Sequence, residues 1–251
     1  MVYVLRYLWI VLCTVFWGTL ALPAMLADRS GEAVIWIGRR WIRAILWGCR
    51  IRIETSGEEH VDPDHPQIFM PNHQSALDVA AVLQAVPVSF RFVAKKEILR
   101  IPFVGWAALG GGHIIVDRAD NAQAVARLRA AARRIRDGTN VIIFPEGTRS
   151  STGRLREFKS GGFHLAIQSG APIVPISVSG SRRLTPKRSL KVRSGLLRVA
   201  IGRPIPTRDL GIEDRQALKD RVREALLAGF DPDLQPEPTD SGAVAAQSGG
   251  H

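Results

Sequence analysis

Two short constellations in this 251-residue chain bring together side chains that can do chemistry. The first is Asn72-His73-Gln74-Ser75-Ala76-Leu77-Asp78, which follows the apolar run QIFMPN and opens a helical pattern. A histidine on a strand-to-helix turn, with an aspartate one turn into the helix, lets the carboxylate reach back to one imidazole nitrogen. That contact fixes the tautomer and makes the other nitrogen a better base. With six His and 13 Asp in the chain the spacing alone is weak, and a histidine that only caps the helix reads the same way. The second constellation is Phe144-Pro145-Glu146-Gly147-Thr148-Arg149-Ser150, directly after NVIIF. It falls at the carboxyl end of a strand, where open α/β sheets place their ligands. Gly147 permits a close backbone approach, and Arg149 supplies a planar fork for a phosphate. A solvated turn with a surface ion pair is the competing reading.

Two further segments flank these. Lys95-Lys96-Glu97 leads through Pro102–Trp106 to Gly112 and the run Ile114-Ile115-Val116-Asp117-Arg118. Arg118 closes an apolar strand and brings a second guanidinium to the same sheet edge. Val174-Pro175-Ile176 sets a proline inside a strand-like run. Proline cannot donate to a ladder, so an edge, a bulge or a cleft wall is expected there. His60, His65, His113, His164 and His251 have no partner at comparable spacing and read as surface or packing residues. No set of residues has metal-ligand spacing.

The elements that must position these side chains are legible as alternation. IRIET, QIFMPN, RFVAK, HIIVD, NVIIFP, PIVPISVSG and LLRVAIG have strand character, and SALDVAAVLQAV, Phe103–Leu109 and NAQAVARLRAAARRIRDG have helical character. Strands and helices at this spacing predict a single α/β domain over residues 51–230, with a largely parallel sheet flanked by helices. Ahead of it, Tyr7–Ala27 is 21 residues without a charge, long enough for a helix to match a bilayer's hydrocarbon thickness of roughly 30 Å. The next segment, AVIWIGRRWIRAILWGCR, mixes Trp with Arg39, Arg40, Arg43 and Arg50. It reads as an interfacial amphipathic helix with rings at headgroup depth and guanidiniums on phosphates. Residues 1–50 are therefore expected to form a membrane-associated helix pair. Basic residues after the apolar run outnumber those before it, which puts the rest of the chain at the cell membrane's cytoplasmic side. Residues 231–251 are rich in Pro, Gly, Ser and acid, and are expected to be disordered.

Composition excludes several classes. The formal net charge of +11 becomes larger still once the last 21 residues, with four acids and no Lys or Arg, are set aside. Such a charge suits an anionic partner. No stacking platform or recognised motif accompanies it, so nucleic acid is not that partner. Two cysteines, Cys13 and Cys49, rule out a disulfide scaffold.

NHQSALD, the Lys95-to-Arg118 segment ending GHIIVDR, FPEGTRS and VPI, in this order, resemble the four blocks of the glycerolipid acyltransferase family. The likeness is greatest to the 1-acyl-sn-glycerol-3-phosphate, or lysophosphatidate, acyltransferases, and by motif it covers about residues 65–180. It implies that His73 is the general base and Asp78 the carboxylate that orients it. His73 would take the proton of a lysophospholipid's sn-2 hydroxyl, which attacks an acyl thioester without a covalent enzyme intermediate. Glu146, Gly147, Thr148 and Arg149 match the block that binds the glycerol phosphate. Arg118 matches the second block's arginine, Lys95 a second phosphate contact, and Pro175 a residue on the acyl-chain side. No cofactor or metal is implied, because acyl-CoA or acyl carrier protein enters as the donor substrate. The implied partners are these two substrates and membrane lipid. The basic run Arg182-Arg183, Lys187-Arg188, Lys191 and Arg193 suits anionic lipid or the donor's phosphates. Glycerol 3-phosphate, another lysophospholipid or a lyso-aminolipid remain alternative acceptors. A thioesterase would need a nucleophile elbow of the G-x-S-x-G kind, which the chain lacks.

Overall fold

The computed structural model describes residues 1–117, 121–186 and 191–234. Seven strands, β1 (Ile51–Ser56), β2 (Ile68–Pro71), β3 (Arg91–Lys95), β4 (Ile114–Val116), β5 (Val141–Ile142), β6 (Ile173–Ser179) and β7 (Gly195–Ile201), form one sheet in the order β1-β7-β6-β2-β5-β3-β4. Each coincides with a segment of strand character, although β5 forms ladder pairs over only two residues of NVIIFP. All neighbours run parallel except β6 and β7, so the expected largely parallel α/β sheet is found, with β7 and β1 running opposite to the other five.

Helices cover both faces. On one side lie α1 (Val2–Ala27), α2 (Glu32–Cys49) and α3 (Leu77–Ala85), sharing a core with Phe69, Ile142, Val174 and Ile176. On the other lie α5 (Asn121–Arg136), α6 (Ser160–Ser169) and α8 (Arg215–Ala228), packed on Ile68, Met70, Val141 and Ile143. Alternation along each strand assigns residues to the two faces, so the β2 that ends at the histidine turn is buried throughout. Two short helices complete the set, α4 (Val104–Gly110) beside α1 and α7 (Ser181–Leu184) after β6.

Three helices were not evident from pattern alone. Segment 160–169 starts Ser-Gly-Gly, a poor helical opening. It is helical because Phe163, Leu165 and Ala166 are buried and because Gly162 lets the helix approach Ile143 and Met70 closely. Segment 215–228 is dominated by charge, and its buried stripe is only Leu218, Val222 and Leu226 at four-residue intervals. Four-residue α7 is too short to leave a periodic signal.

α1 and α2 form a hairpin: Trp9 Nε1 donates to Ala44 O at 3.0 Å and Trp41 Nε1 to Thr14 Oγ1 at 3.3 Å. α1 leaves Leu5, Leu8, Leu12 and Phe16 exposed along one side, and it is the one described helix long and apolar enough to cross a membrane. The expected outward Trp-Arg face of α2 is only partly realised. Trp36 and Trp47 point outward, but Arg39 does not reach for phosphates: its Nη2 donates to Val86 O and Val88 O, both at 2.8 Å, and its guanidinium lies over the Phe90 ring. The α3–β3 loop carries carbonyls that need donors, and Arg39 supplies two of them. Residues 235–251 and the Lys187-Arg188 pair lie outside the described residues.

Candidate active site

The carboxyl ends of β2, β5 and β3 are adjacent, since β5 pairs with both of the others. His73 follows β2, Phe144–Ser150 follow β5 and Lys95 closes β3, so the separate sequence blocks meet along one sheet edge.

The turn after β2 is fixed by its own polar residues. Asn72 is fully buried and clamps β6 with two bonds, Nδ2 to Val178 O at 3.0 Å and Val178 N–H to Oδ1 at 2.7 Å. Asp78 sits in the first turn of α3, where a carboxylate complements the helix dipole. Its Oδ2 accepts the main-chain N–H groups of Gln74 and Ser75, each at 2.6 Å, and faces His73 Nδ1 at 3.1 Å. Two main-chain donors make Oδ2 an acceptor, so Nδ1 carries the proton and Nε2 keeps the lone pair. The Asp78 side chain is fully buried while that of His73 is 17% exposed. The imidazole is therefore anchored to the interior through Nδ1 and keeps partial solvent access. Phe144 packs on it, ring centroids 4.2 Å apart and planes 32° from parallel.

The second block closes around the same turn. Glu146 Oε1 accepts the His73 N–H at 2.6 Å, Oε2 accepts the Arg156 N–H at 2.9 Å, and the His73 carbonyl accepts the Ser150 N–H at 2.7 Å. Glu146 is 1% exposed, and burial raises its pKa against the lowering effect of the two backbone donors. Its carboxylate thus faces the protein's main chain instead of the open edge. Gly147 turns the chain at φ 71°, and Thr148 and Arg149 are exposed beyond it. Lys95 is exposed, while Lys96 forms an ion pair with Asp117. Arg118 lies outside the described residues.

Pro175 is apart from this cluster. It pairs with Met70 in the middle of the sheet, not at an edge. Between the Ile176–Ile201 and Ile173–Ile205 pairings, β6 advances three residues and its neighbour four, which makes a bulge. The proline's missing N–H falls there, and its carbonyl accepts from Gly202 N at 2.8 Å. His113 is a packing residue: its Nδ1 accepts the Phe92 N–H at 3.2 Å, and burial aided by Arg91 and Arg134 lowers its pKa to about 4.

Several supporting residues carried no role in the sequence reading. Phe144 shapes the imidazole's position, Gln74 Nε2 holds Gly153 O at 2.8 Å, and Ser75 Oγ bonds Thr185 after β6. Each lies inside or beside a quoted motif. Only the fold shows what it touches.

The fold and site together define an α/β domain with a histidine–carboxylate pair and a basic fringe at the carboxyl edge of its sheet. A family model described as Acyltransferase matches residues 52–179. The 1-acyl-sn-glycerol-3-phosphate acyltransferase alpha of Homo sapiens is 33% identical over 216 residues, 86% of this chain and 76% of that one. The 1-acyl-sn-glycerol-3-phosphate acyltransferase of Limnanthes alba is 36% identical over 170 residues, 67% of this chain and 60% of that one. Among solved structures, the 1-acyl-sn-glycerophosphate (LPA) acyltransferase PlsC from Thermotoga maritima superposes with a TM-score of 0.76 at 26% identity, covering 91% of this chain and 92% of the other. This chain belongs to the 1-acyl-sn-glycerol-3-phosphate acyltransferase family of acyltransferase enzymes.

Proposed function

We propose that the protein transfers a fatty acyl group from an acyl thioester to the sn-2 hydroxyl of 1-acyl-sn-glycerol 3-phosphate, giving phosphatidate. The observation that carries this reading is the His73–Asp78 pair at 3.1 Å, its carboxylate fully buried and its imidazole 17% exposed. His73 Nε2 takes the hydroxyl proton as the oxygen attacks the thioester carbonyl carbon. The tetrahedral intermediate expels the thiolate, which recovers the proton from His73 as the C–S bond breaks. General-base help of this kind contributes ~10²–10⁴-fold, and holding two substrates in line supplies the rest. Arg149 on the loop after β5 and Lys95 at the end of β3, together with Arg118 as the family resemblance assigns it, supply the cations that a dianionic phosphomonoester requires. Glu146 acts from behind, holding the turn that carries His73. The exposed apolar side of α1 keeps the active edge beside the membrane that holds the acyl chains of acceptor and product. The catalytic domain lies on the cytoplasmic side, where acyl-CoA and acyl carrier protein are made available.

The test is acyl transfer from radiolabelled acyl-CoA and acyl carrier protein in purified membranes, with lysophosphatidate and glycerol 3-phosphate offered separately and His73→Ala run in parallel. Label in phosphatidate that disappears with His73→Ala supports the reading. Label only in free fatty acid would mean hydrolysis.

A further inference from the structure

Where the amino end of α1 meets the carboxyl end of α2, an open groove of about 410 Å³ separates the two helices. Trp9 and Trp47 form its aromatic wall, ring centroids 6.0 Å apart, and Gly48 makes its floor because any side chain there would run into the Trp9 indole. Val2 and Leu5 line the opposite side, both exposed, and the apolar stripe through Leu8, Leu12 and Phe16 continues from them along α1. Two guanidiniums, Arg6 and Arg50, complete the lining, which contains no carboxylate. Among the described residues neither forms an ion pair.

Both cations are placed there deliberately by the fold. Arg6 Nη1 donates to Val192 O at 2.8 Å, which leaves the rest of its fork for another acceptor. Arg50 ends α2 in the left-handed conformation, φ 54° and ψ 47°, with its N–H returned to Leu46 O and Trp47 O. That is the position where a helix ordinarily places glycine, because a side chain there is strained. An arginine kept at a glycine position points to a use for its side chain.

We propose that this groove binds the phosphodiester headgroup of an acidic bilayer phospholipid, with one acyl chain laid against Trp47 and the α1 stripe. Paired guanidiniums match phosphate oxygens, indole rings suit headgroup depth, and the apolar stripe needs a lipid chain to cover it. The site is remote from His73 in sequence and role, and the proposal stands independently of the acyl-transfer reading.

The test uses the full-length purified chain and vesicles of phosphatidylcholine, with or without phosphatidylglycerol. Arg50→Gly relieves the strained cap, so its unfolding midpoint is expected to stay level or rise by up to about 3 °C, which removes misfolding as an explanation. Its affinity for phosphatidylglycerol vesicles falls about fivefold, and that of Arg6→Gln/Arg50→Gly more than tenfold, with binding to phosphatidylcholine unchanged. Removing the same charge on the opposite face, Arg129→Gln/Arg133→Gln, costs less than about twofold. Trp47 emission, isolated by difference from Trp47→Phe, is quenched more by brominated phosphatidylglycerol than by brominated phosphatidylcholine, and Arg50→Gly removes that preference. Equal losses in the control pair, or quenching without preference, would reduce the effect to diffuse charge and overturn the proposal. So would unchanged vesicle binding with a raised KM for acyl-CoA, which would assign the groove to the donor's phosphates.

Discussion

Glu146 holds His73 by its main chain: the buried carboxylate accepts the histidine N–H at 2.6 Å with one oxygen and the Arg156 N–H at 2.9 Å with the other. A motif residue that sequence likeness assigns to the phosphate pocket is thus spent on joining two loops. Asp78 orients the imidazole from its Nδ1 side, while Glu146 fixes where the turn sits relative to the loop after β5. The two acids divide one task between a side chain and a backbone.

Glu146→Gln separates positioning from phosphate binding. An amide keeps one acceptor and turns its NH₂ toward the other backbone donor, leaving a buried N–H unpaired at a cost of about 1–3 kcal/mol. We expect kcat to fall about tenfold or more while KM for the acceptor moves less than about threefold. A large rise in KM with kcat intact would return Glu146 to the phosphate site. The variant also changes the pH dependence of stability. Burial raises the Glu146 pKa above its unfolded value, so the native state holds the proton to higher pH than the unfolded chain. Stability therefore declines as pH rises through the interval between the two values, and the decline is absent in the glutamine variant. Urea midpoints followed from acid to neutral pH, in wild type and Glu146→Gln together, measure it.

Asp78→Asn tests the orienting carboxylate. The amide oxygen can still accept from Gln74 and Ser75, so the turn is expected to survive. On the proposed mechanism, the charge that stabilises a protonated imidazole in the transition state is lost. We expect kcat to drop about a hundredfold or more with little change in KM. A loss below about threefold would show that His73 works without this partner.

The seven strands were readable because each is a short apolar run, most of them rich in Ile and Val, ended by turn residues, and the His73 turn because histidine and aspartate at five-residue spacing fit a strand-to-helix junction. Glu146's direction was not readable, since a carboxylate next to Gly and Arg looks equally suited to solvent, ligand or main chain. Arg39 misled in the same way: an arginine between tryptophans resembles an interfacial anchor until the bare carbonyls of Val86 and Val88 are placed beside it. Helix 160–169 begins with residues that disfavour helix and is held by packing alone, which no local pattern records.

Pro175 and Gly202 form a matched pair. A Cβ on Gly202 would lie 2.8 Å from Pro175 Cγ, so Gly202→Ala must push the pyrrolidine or open the bulge. We expect Gly202→Ala to cost about 1–3 kcal/mol, and most of that cost to vanish when Pro175→Ala is present as well. A double-mutant cycle by urea unfolding reads the coupling. Additive losses would mean that the bulge adapts elsewhere and that the pairing is incidental.

His113 gives the fold a defined acid sensitivity. Its Nδ1 accepts from Phe92 N–H, its ring meets Phe92 edge to face, and Arg91 and Arg134 stand nearby, so protonation would lose an acceptor and add a third cation to the group. Its pKa is lowered from 6.5 to about 4, first by burial and then by the two guanidiniums. The unfolded chain therefore binds a proton that the native state refuses between those values. The stability this represents is complete above about pH 6.5 and is lost as pH falls toward about 4, up to about 3 kcal/mol in all. His113→Gln can keep an acceptor for Phe92 N–H and cannot titrate. Its unfolding free energy should stay flatter than wild type over that range, even if it starts lower at neutral pH from imperfect packing. Parallel curves for the two proteins would show that His113 is protonated as readily in the native state as in the unfolded one.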